Sequence, residues 1–316
     1  MTMLLSSADL EVIVAPERGA DILQVTDRRT GTGVLAQSPT GLSRPSLGTS
    51  DSMTAWLRGY PGGWQFLVPN AGPERVHDGV SQGYHGEAAL TQWSVLTQSP
   101  AACTLQTYLA SAPLRLHRHI SVVGPHLVVT DTLENTSPDP VSTRMVQHPA
   151  FGEQFLNEDS YVIVGAKTLI TDAQAPGTMA RAGRVGTPAE ILGTGPVPGS
   201  IAVPGPGSGS SLFAAFADLE SAPSAILASP RHGFAMKLEW TATSFPYAWF
   251  WIEANATSGW PWFRRLYAVA VEPANILPGE GPAGGYQRGG DGISIAAEAK
   301  FTTTTRLSRQ DLPGAR

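Results

Sequence analysis

The chain has 316 residues, of which 42% are hydrophobic and only 15% charged, and its formal net charge is −5. This composition builds a sizeable core, and with no basic stripe it argues against nucleic acid or an anionic membrane surface as a partner. Cys103 is the single cysteine, which excludes an internal disulfide, while 34 glycines and 26 prolines point to many tight turns.

Residues 1–10 lack a basic region followed by a long apolar run, so no signal peptide is expected. No stretch approaches the ~18 consecutive apolar residues of a membrane span. A cytoplasmic protein is the expectation. Period-two patterning then runs through the chain. Segments 21–27 and 33–37 flank the turn-rich Arg28-Arg29-Thr30-Gly31-Thr32. Leu114, Leu116, Ile120 and Val122 alternate with Arg115, His117, His119 and Ser121, and Gly124-Pro125 turns the chain into a returning strand over 126–135. Further strands are expected at 161–165, 212–216, 225–227, 235–241, 247–253, 266–272 and 293–304. No segment sustains a helical repeat over three turns. Many short strands with frequent turns predict an all-β protein, a large antiparallel β-sandwich. The Gly/Pro/Ser-rich stretch 193–211 reads as a surface loop within a single domain over 1–307, a linker between two domains being the other reading. Residues 308–316 read as a frayed polar tail.

Three side chains stand out for proton chemistry. His148 closes Met145-Val146-Gln147-His148-Pro149, Glu272 closes a run of apolar residues before Pro273, and His85 lies in Gly83-Tyr84-His85-Gly86-Glu87. A strand delivers its terminal side chain to a fixed place, and a following proline is expected to stop the ladder there. Imidazole and carboxylate suit acid–base work near neutral pH. Each also has a plain structural reading: His148 as a hydrogen-bonded histidine at a sheet rim, Glu272 as an acid capping a turn, His85 as simply a loop histidine. For the functional side, His148 projects beside Arg144, and glycines around His85 let the backbone approach a ligand closely. Tyr247, Trp249, Trp251 and Glu253 share a strand face, and Trp260-Pro261-Trp262 follows. Such a cluster stacks on sugar rings or packs a core. His117 and His119 share a face with Arg115 and Ser121, so that face reads as solvated, and no metal site is expected.

These motifs resemble the aldose 1-epimerase (galactose mutarotase-like) family. The likeness lies in Val14-Ala15-Pro16-Glu17-Arg18-Gly19-Ala20-Asp21-Ile22, in the segment from Gly62 through Trp64 and Asn70 to Gly72, in Tyr84-His85-Gly86-Glu87 running on to Trp93, in Glu134-Asn135 with His148-Pro149-Ala150-Phe151-Gly152, and in Val271-Glu272-Pro273 before Leu277-Pro278-Gly279-Glu280. The extended Asn–Arg element of typical galactose mutarotases is not evident; Asn70 and Arg75 are its nearest equivalents, and Asp218 is available as the substrate-binding aspartate. The pattern is closer to divergent bacterial members. The resemblance implies a galactose mutarotase-like supersandwich and interconversion of α and β anomers of an aldose without a cofactor. It implies Glu272 as an ionised base, His148 as the acid and His85 as a donor to the developing oxygen charge. Asn70, Arg75, Arg144, Trp251, Glu253 and Trp260 are the expected substrate contacts. Arg75, Arg144, Arg264 or Arg265 could take an anionic group on the sugar. A non-catalytic carbohydrate-binding protein, or an epimerase or lyase acting at another carbon, are the alternatives. Oligomeric state leaves no signal in the sequence.

Overall fold

Alternating burial governs the strands, as in Leu114–Val123 and His126–Asn135, which pair without a break from Leu114–Asn135 to Val123–His126. In the computed structural model, which describes residues 2–39 and 51–312, such strands build two large antiparallel sheets of eleven and nine strands. Their apolar faces meet in one core, where Trp64, Phe66, Phe151, Phe250 and Val269 of the larger sheet pack with Leu105, Ile120, Leu133, Leu238 and Leu307 of the smaller. The architecture is the all-β sandwich expected from the patterning. The described residues also form two short α-helices, Ser52–Gly59 and Pro188–Leu192. Neither is long and apolar enough to cross a membrane.

Five strands at the middle of the larger sheet position the site. In spatial order they are Trp64–Leu67, Val146–Phe151, Tyr267–Ala274, Tyr247–Ala254 and Ser210–Leu219. Strands are buried on both faces here. One face enters the main core; the other carries a second cluster that includes Leu67, Val146, Ala150, Ala215, Trp249, Ala268 and Ala270. Double burial explains the near-continuous apolar sequence of 267–271, since no position faces water.

Three expectations need correction. Pro149 and Pro273 do not end their strands, which run on to Phe151 and Ala274. Residues 308–311 are not frayed. They complete the Lys300–Asp311 strand, paired with both His126–Asn135 and Phe234–Trp240; residues 313–316 lie outside the described residues. The stretch 193–211 is not all loop, because Ser200–Ala202 pairs with Tyr161–Val164 and Ser210 opens the next strand.

A polar network built on a buried ion pair of the smaller sheet ties the two sheets together. Arg118 shares the inward face of its strand with Leu116 and Ile120 and is wholly buried. Its Nε donates to Asp131 Oδ1 at 2.7 Å, and its Nη2 donates to Asp131 Oδ2 at 3.1 Å and to Gln147 Oε1 at 3.2 Å. Gln147 Nε2 donates to Asp131 Oδ2 at 2.7 Å, and Trp64 Nε1 donates to Gln147 Oε1 at 2.8 Å. The network therefore runs from the smaller sheet into the strand that carries His148. Truncating one member leaves the other charge buried and unpaired, which costs about 3–5 kcal/mol. Arg118→Ala is expected to lose that much in urea unfolding, and Arg118→Leu with Asp131→Leu less than Arg118→Ala alone.

Candidate active site

The register of two strands creates the site. Val146–Phe151 and Tyr267–Ala274 pair at Val146–Ala274 and again at Ala150–Ala270, and the ladder is open between these points. Counting inward from both pairs sets His148 directly across from Glu272. Pro149 and Pro273 fall within this open interval, and neither has an N–H to give to a ladder. The prolines thus part the two strands locally instead of terminating them. His148 Nε2 lies 3.7 Å from Glu272 Oε1, with both residues buried.

Above this pair is a cavity of about 600 Å³. Small side chains at Ala150, Ala268 and Ala270 keep the surrounding sheet face low, and aromatic rings supply the walls. Trp249 and Trp251 come from the strand beside Glu272, while Trp56 and Tyr60 come from the Ser52–Gly59 helix and its C-cap. Tyr84, Phe213 and Trp262 complete the aromatic lining. The helix begins at Asp51, whose side chain accepts from Thr54 N–H at 2.7 Å. Tyr60 stands edge-on to His148, ring centroids 5.8 Å apart, and its hydroxyl is buried without a hydrogen-bond partner.

His85 enters from a loop. Its backbone is left-handed (φ +58°), and it exchanges two hydrogen bonds with Gly72: His85 N–H donates to the Gly72 carbonyl at 3.0 Å, and Gly72 N–H donates to His85 Nδ1 at 3.0 Å. Because Nδ1 accepts, the ring proton is on Nε2. Burial, and then the neighbouring His148, hold His85 well below the usual imidazole range, so it is a neutral donor. Gly86 serves protein packing and not a ligand: it has φ +71°, and a Cβ there would lie 2.3 Å from the Val68 carbonyl oxygen.

Burial also sets the protonation of the central pair. It pushes Glu272 up to about 8 and His148 down to about 4. Near neutral pH the pair therefore holds one proton, on the carboxyl, and carries no net charge. This corrects the expectation of a Glu272 ionised at an ordinary carboxylate pKa; a carboxylate with so little solvation binds its proton.

Of the expected substrate contacts Trp251 lines the cavity, whereas others are committed elsewhere. Asn70 Nδ2 donates to the carbonyls of Pro73 and Gly83 and so braces the loop that holds His85. Arg144 donates to Gly290 O, Asn70 Oδ1 and Glu280 Oε1, and Arg75 to Gln82 Oε1 and Asp291 Oδ1. Glu253 caps a turn by accepting from Ala256 N, Thr257 N and Thr257 Oγ1. Trp260 is exposed, and its neighbours Pro261 and Trp262 line the cavity in its place. Asp218 accepts from Thr168 and Tyr286 away from the cavity. Asp172, unremarked in the sequence, is the aspartate at the rim; its Oδ1 accepts from Gln174 N and Ala175 N. It follows the Ala166–Thr171 strand directly, the same strand-end signal that marked Glu272. No arginine or lysine is among the described lining residues, and no group of three His, Cys, Asp or Glu side chains among the described residues is placed to hold a metal ion.

The fold belongs with galactose mutarotase-like proteins. Slr1438 from Synechocystis sp. PCC 6803 superposes with a TM-score of 0.72 at 16% identity, over 99% of this chain and 96% of that one. A galactose mutarotase related enzyme from Lactobacillus acidophilus gives 0.69 at 14% identity, over 100% and 99%. A galactose mutarotase-like protein from Lactobacillus casei ATCC 334 gives 0.66 at 16% identity, over 98% and 100%. No curated protein sequence matches the chain. Residues 2–308 match the family described as a domain of unknown function (DUF4432), and the chain belongs to that family.

The buried carboxyl has a thermodynamic signature. Glu272 binds its proton more tightly folded than unfolded, so its burial weakens the native state as pH rises from about 4.5 to about 8 and by a constant amount above. Glu272→Gln removes this loss, which is worth roughly 5 kcal/mol at full extent. Urea unfolding at acid and alkaline pH is expected to show the variant gaining on the parent across this window.

Proposed function

We propose that this protein is an isomerase of the aldose 1-epimerase type, interconverting the α and β anomers of a neutral aldose by acid–base ring opening. The observation that carries this reading is the opposed His148–Glu272 pair, 3.7 Å apart at the floor of an aromatic cavity. Opening a pyranose requires one proton to leave the anomeric hydroxyl and one to reach the ring oxygen; the C1–O5 bond then breaks to give the aldehyde. After rotation about C1–C2, closure on the other face reverses both transfers.

The pair suits this exchange. Sugar hydroxyls that donate to Glu272 favour its ionised form, and the proton then passes across the short gap to His148 Nε2. Glu272 becomes the base toward the anomeric hydroxyl, and the His148 imidazolium becomes the acid toward the ring oxygen. His85 Nε2–H supplies a neutral donor to the oxygen on which charge develops. Trp and Tyr faces stack on the apolar C–H faces of the ring. Arg75 and Arg144 are engaged with other groups, and Asp172, Glu272 and Glu280 are the acids among the lining residues, which favours a neutral aldose over a phosphorylated one.

NMR exchange spectroscopy on a panel of aldoses tests the reading. Glu272→Gln and His148→Ala are each expected to slow anomer exchange by about 10²–10⁴-fold, and neutral hexoses are expected to exchange faster than their phosphates. Saturable sugar binding with no acceleration would point to a binding protein instead. The pH dependence of kcat/KM is expected to be bell-shaped, with limbs near 4 and 8 that belong to the coupled pair. Below the acid limb both groups hold protons and no base remains; above the alkaline limb neither does, and no acid remains.

A further inference from the structure

A continuous polar row crosses four adjacent strands of the larger sheet. The pairings Ile22–Trp64, Gln65–His148 and Val146–Ala274 set Asp21, Gln65, His148 and Glu272 side by side on the cavity face, one from each strand. All four are buried. Their neighbours on that face, Leu67, Val146, Ala150 and Ala270, are apolar. Four polar groups in such surroundings are costly unless each has a partner.

The hydrogen bonds of Gln65 fix which way its amide points. Nε2 donates to the Gly62 carbonyl at 2.6 Å and to Asp21 Oδ2 at 3.2 Å. A reversed amide would set its oxygen against a carbonyl that can only accept, so the orientation follows from the network. The Gly62 carbonyl is itself held by a tight turn: Gly62 has φ +79°, and a Cβ there would meet the Ala36 carbonyl oxygen at 2.1 Å. With its nitrogen committed, Gln65 keeps Oε1 buried and without a partner. On the directly opposed residue, His148 Nδ1 is also buried and without a partner, while Nε2 faces Glu272. An orphan acceptor and an orphan ring nitrogen thus sit on paired positions.

We propose that Gln65, anchored by Asp21 and Gly62, is a positioning residue whose Oε1 takes the Nδ1–H of His148, directly or through one water, leaving Nε2 as the proton-accepting atom that faces Glu272. The consequence for rate rests on the isomerase reading above; the tautomer itself is a property of the protein without sugar. An acceptor at Nδ1 stabilises the imidazolium and makes Nε2 the stronger base. The titratable groups facing His148 are Glu272 and His85, with Tyr60 edge-on to it. Those acting on Asp21 are Arg18 and Arg118, and burial outweighs both, so Asp21 is a neutral acid near pH 7 and adds no charge to the row.

Long-range ¹⁵N correlation spectra of the histidine rings in the full chain, recorded without sugar at about pH 6, between the shifted values of His148 and Glu272, test the assignment. The expected result is His148 with Nδ1 protonated and Nε2 bare. Gln65→Leu is expected to move His148 toward the Nε2–H tautomer and to lower kcat by about 10–100-fold with little change in KM. Gln65→Glu is expected to restore Nδ1–H and to raise the acid limb of the pH–rate profile. An Nε2–H tautomer in the parent, which no folding defect could produce, overturns the proposal, as does an unchanged tautomer in a folded Gln65→Leu. The expected spectra in a protein that exchanges no anomers would uphold the Gln65 assignment and refute the isomerase reading alone.

Discussion

The pairing register between Val146–Phe151 and Tyr267–Ala274 is the constraint on which the site depends. Side chains alternate across a sheet, so a slip of one residue would turn His148 or Glu272 into the apolar core and bring a hydrophobic group to the cavity. Three features hold the register. Gln147, facing inward, is bound by Trp64, Arg118 and Asp131, which leaves His148 no choice but the outer face. Phe151 and Val269 pair inward at one end of the open interval, in the main core. Tyr247–Ala254 pairs with the far side of the glutamate strand over its whole length, placing Trp249 beside Glu272. Gln147 of the polar network within the sandwich and His148 of the buried pair outside it are thus consecutive residues of one strand.

Much of this arrangement is legible in the sequence, though partly for other reasons. Prolines after His148 and Glu272 single out both positions in the sequence, yet they act by withholding N–H groups between two continuing strands. The alternation at 114–122 shows the strand but conceals Arg118, which occupies an apolar position between Leu116 and Ile120. Helix Ser52–Gly59 has eight residues, too few for a three-turn repeat, and its cap at Asp51 is its clearest local mark. Trp56 and Tyr60, carried by the helix and its C-cap, go unsignalled with it. Asn70, Arg144 and Glu253 lie close to the site in the fold, but a sequence cannot say whether a polar side chain is free or already satisfied by neighbouring backbone. That depends on loops such as Gly72–Pro73 and Gly290, whose course is set by tertiary packing.

Desolvation, ahead of neighbouring charge, sets the protonation of the site. Burial is the leading cause of the shifts in both Glu272 and His148, upward for the acid and downward for the base. The two shifts are complementary, because any wall that excludes water from one excludes it from the other. An aromatic roof over an alanine floor therefore gives a broad pH interval in which the pair holds a single proton. The same surroundings make the ion-pair form sensitive to any hydroxyl that enters, since each new hydrogen bond to Glu272 acts where water does not compete. On the proposed isomerase reading, a bound sugar ring would thereby change the protonation state of the cavity floor. The loop carrying His85 contributes in the same way: its Nδ1 is satisfied by Gly72, so its remaining N–H is a fixed dipole directed by backbone geometry, and it adds a donor without adding a charge.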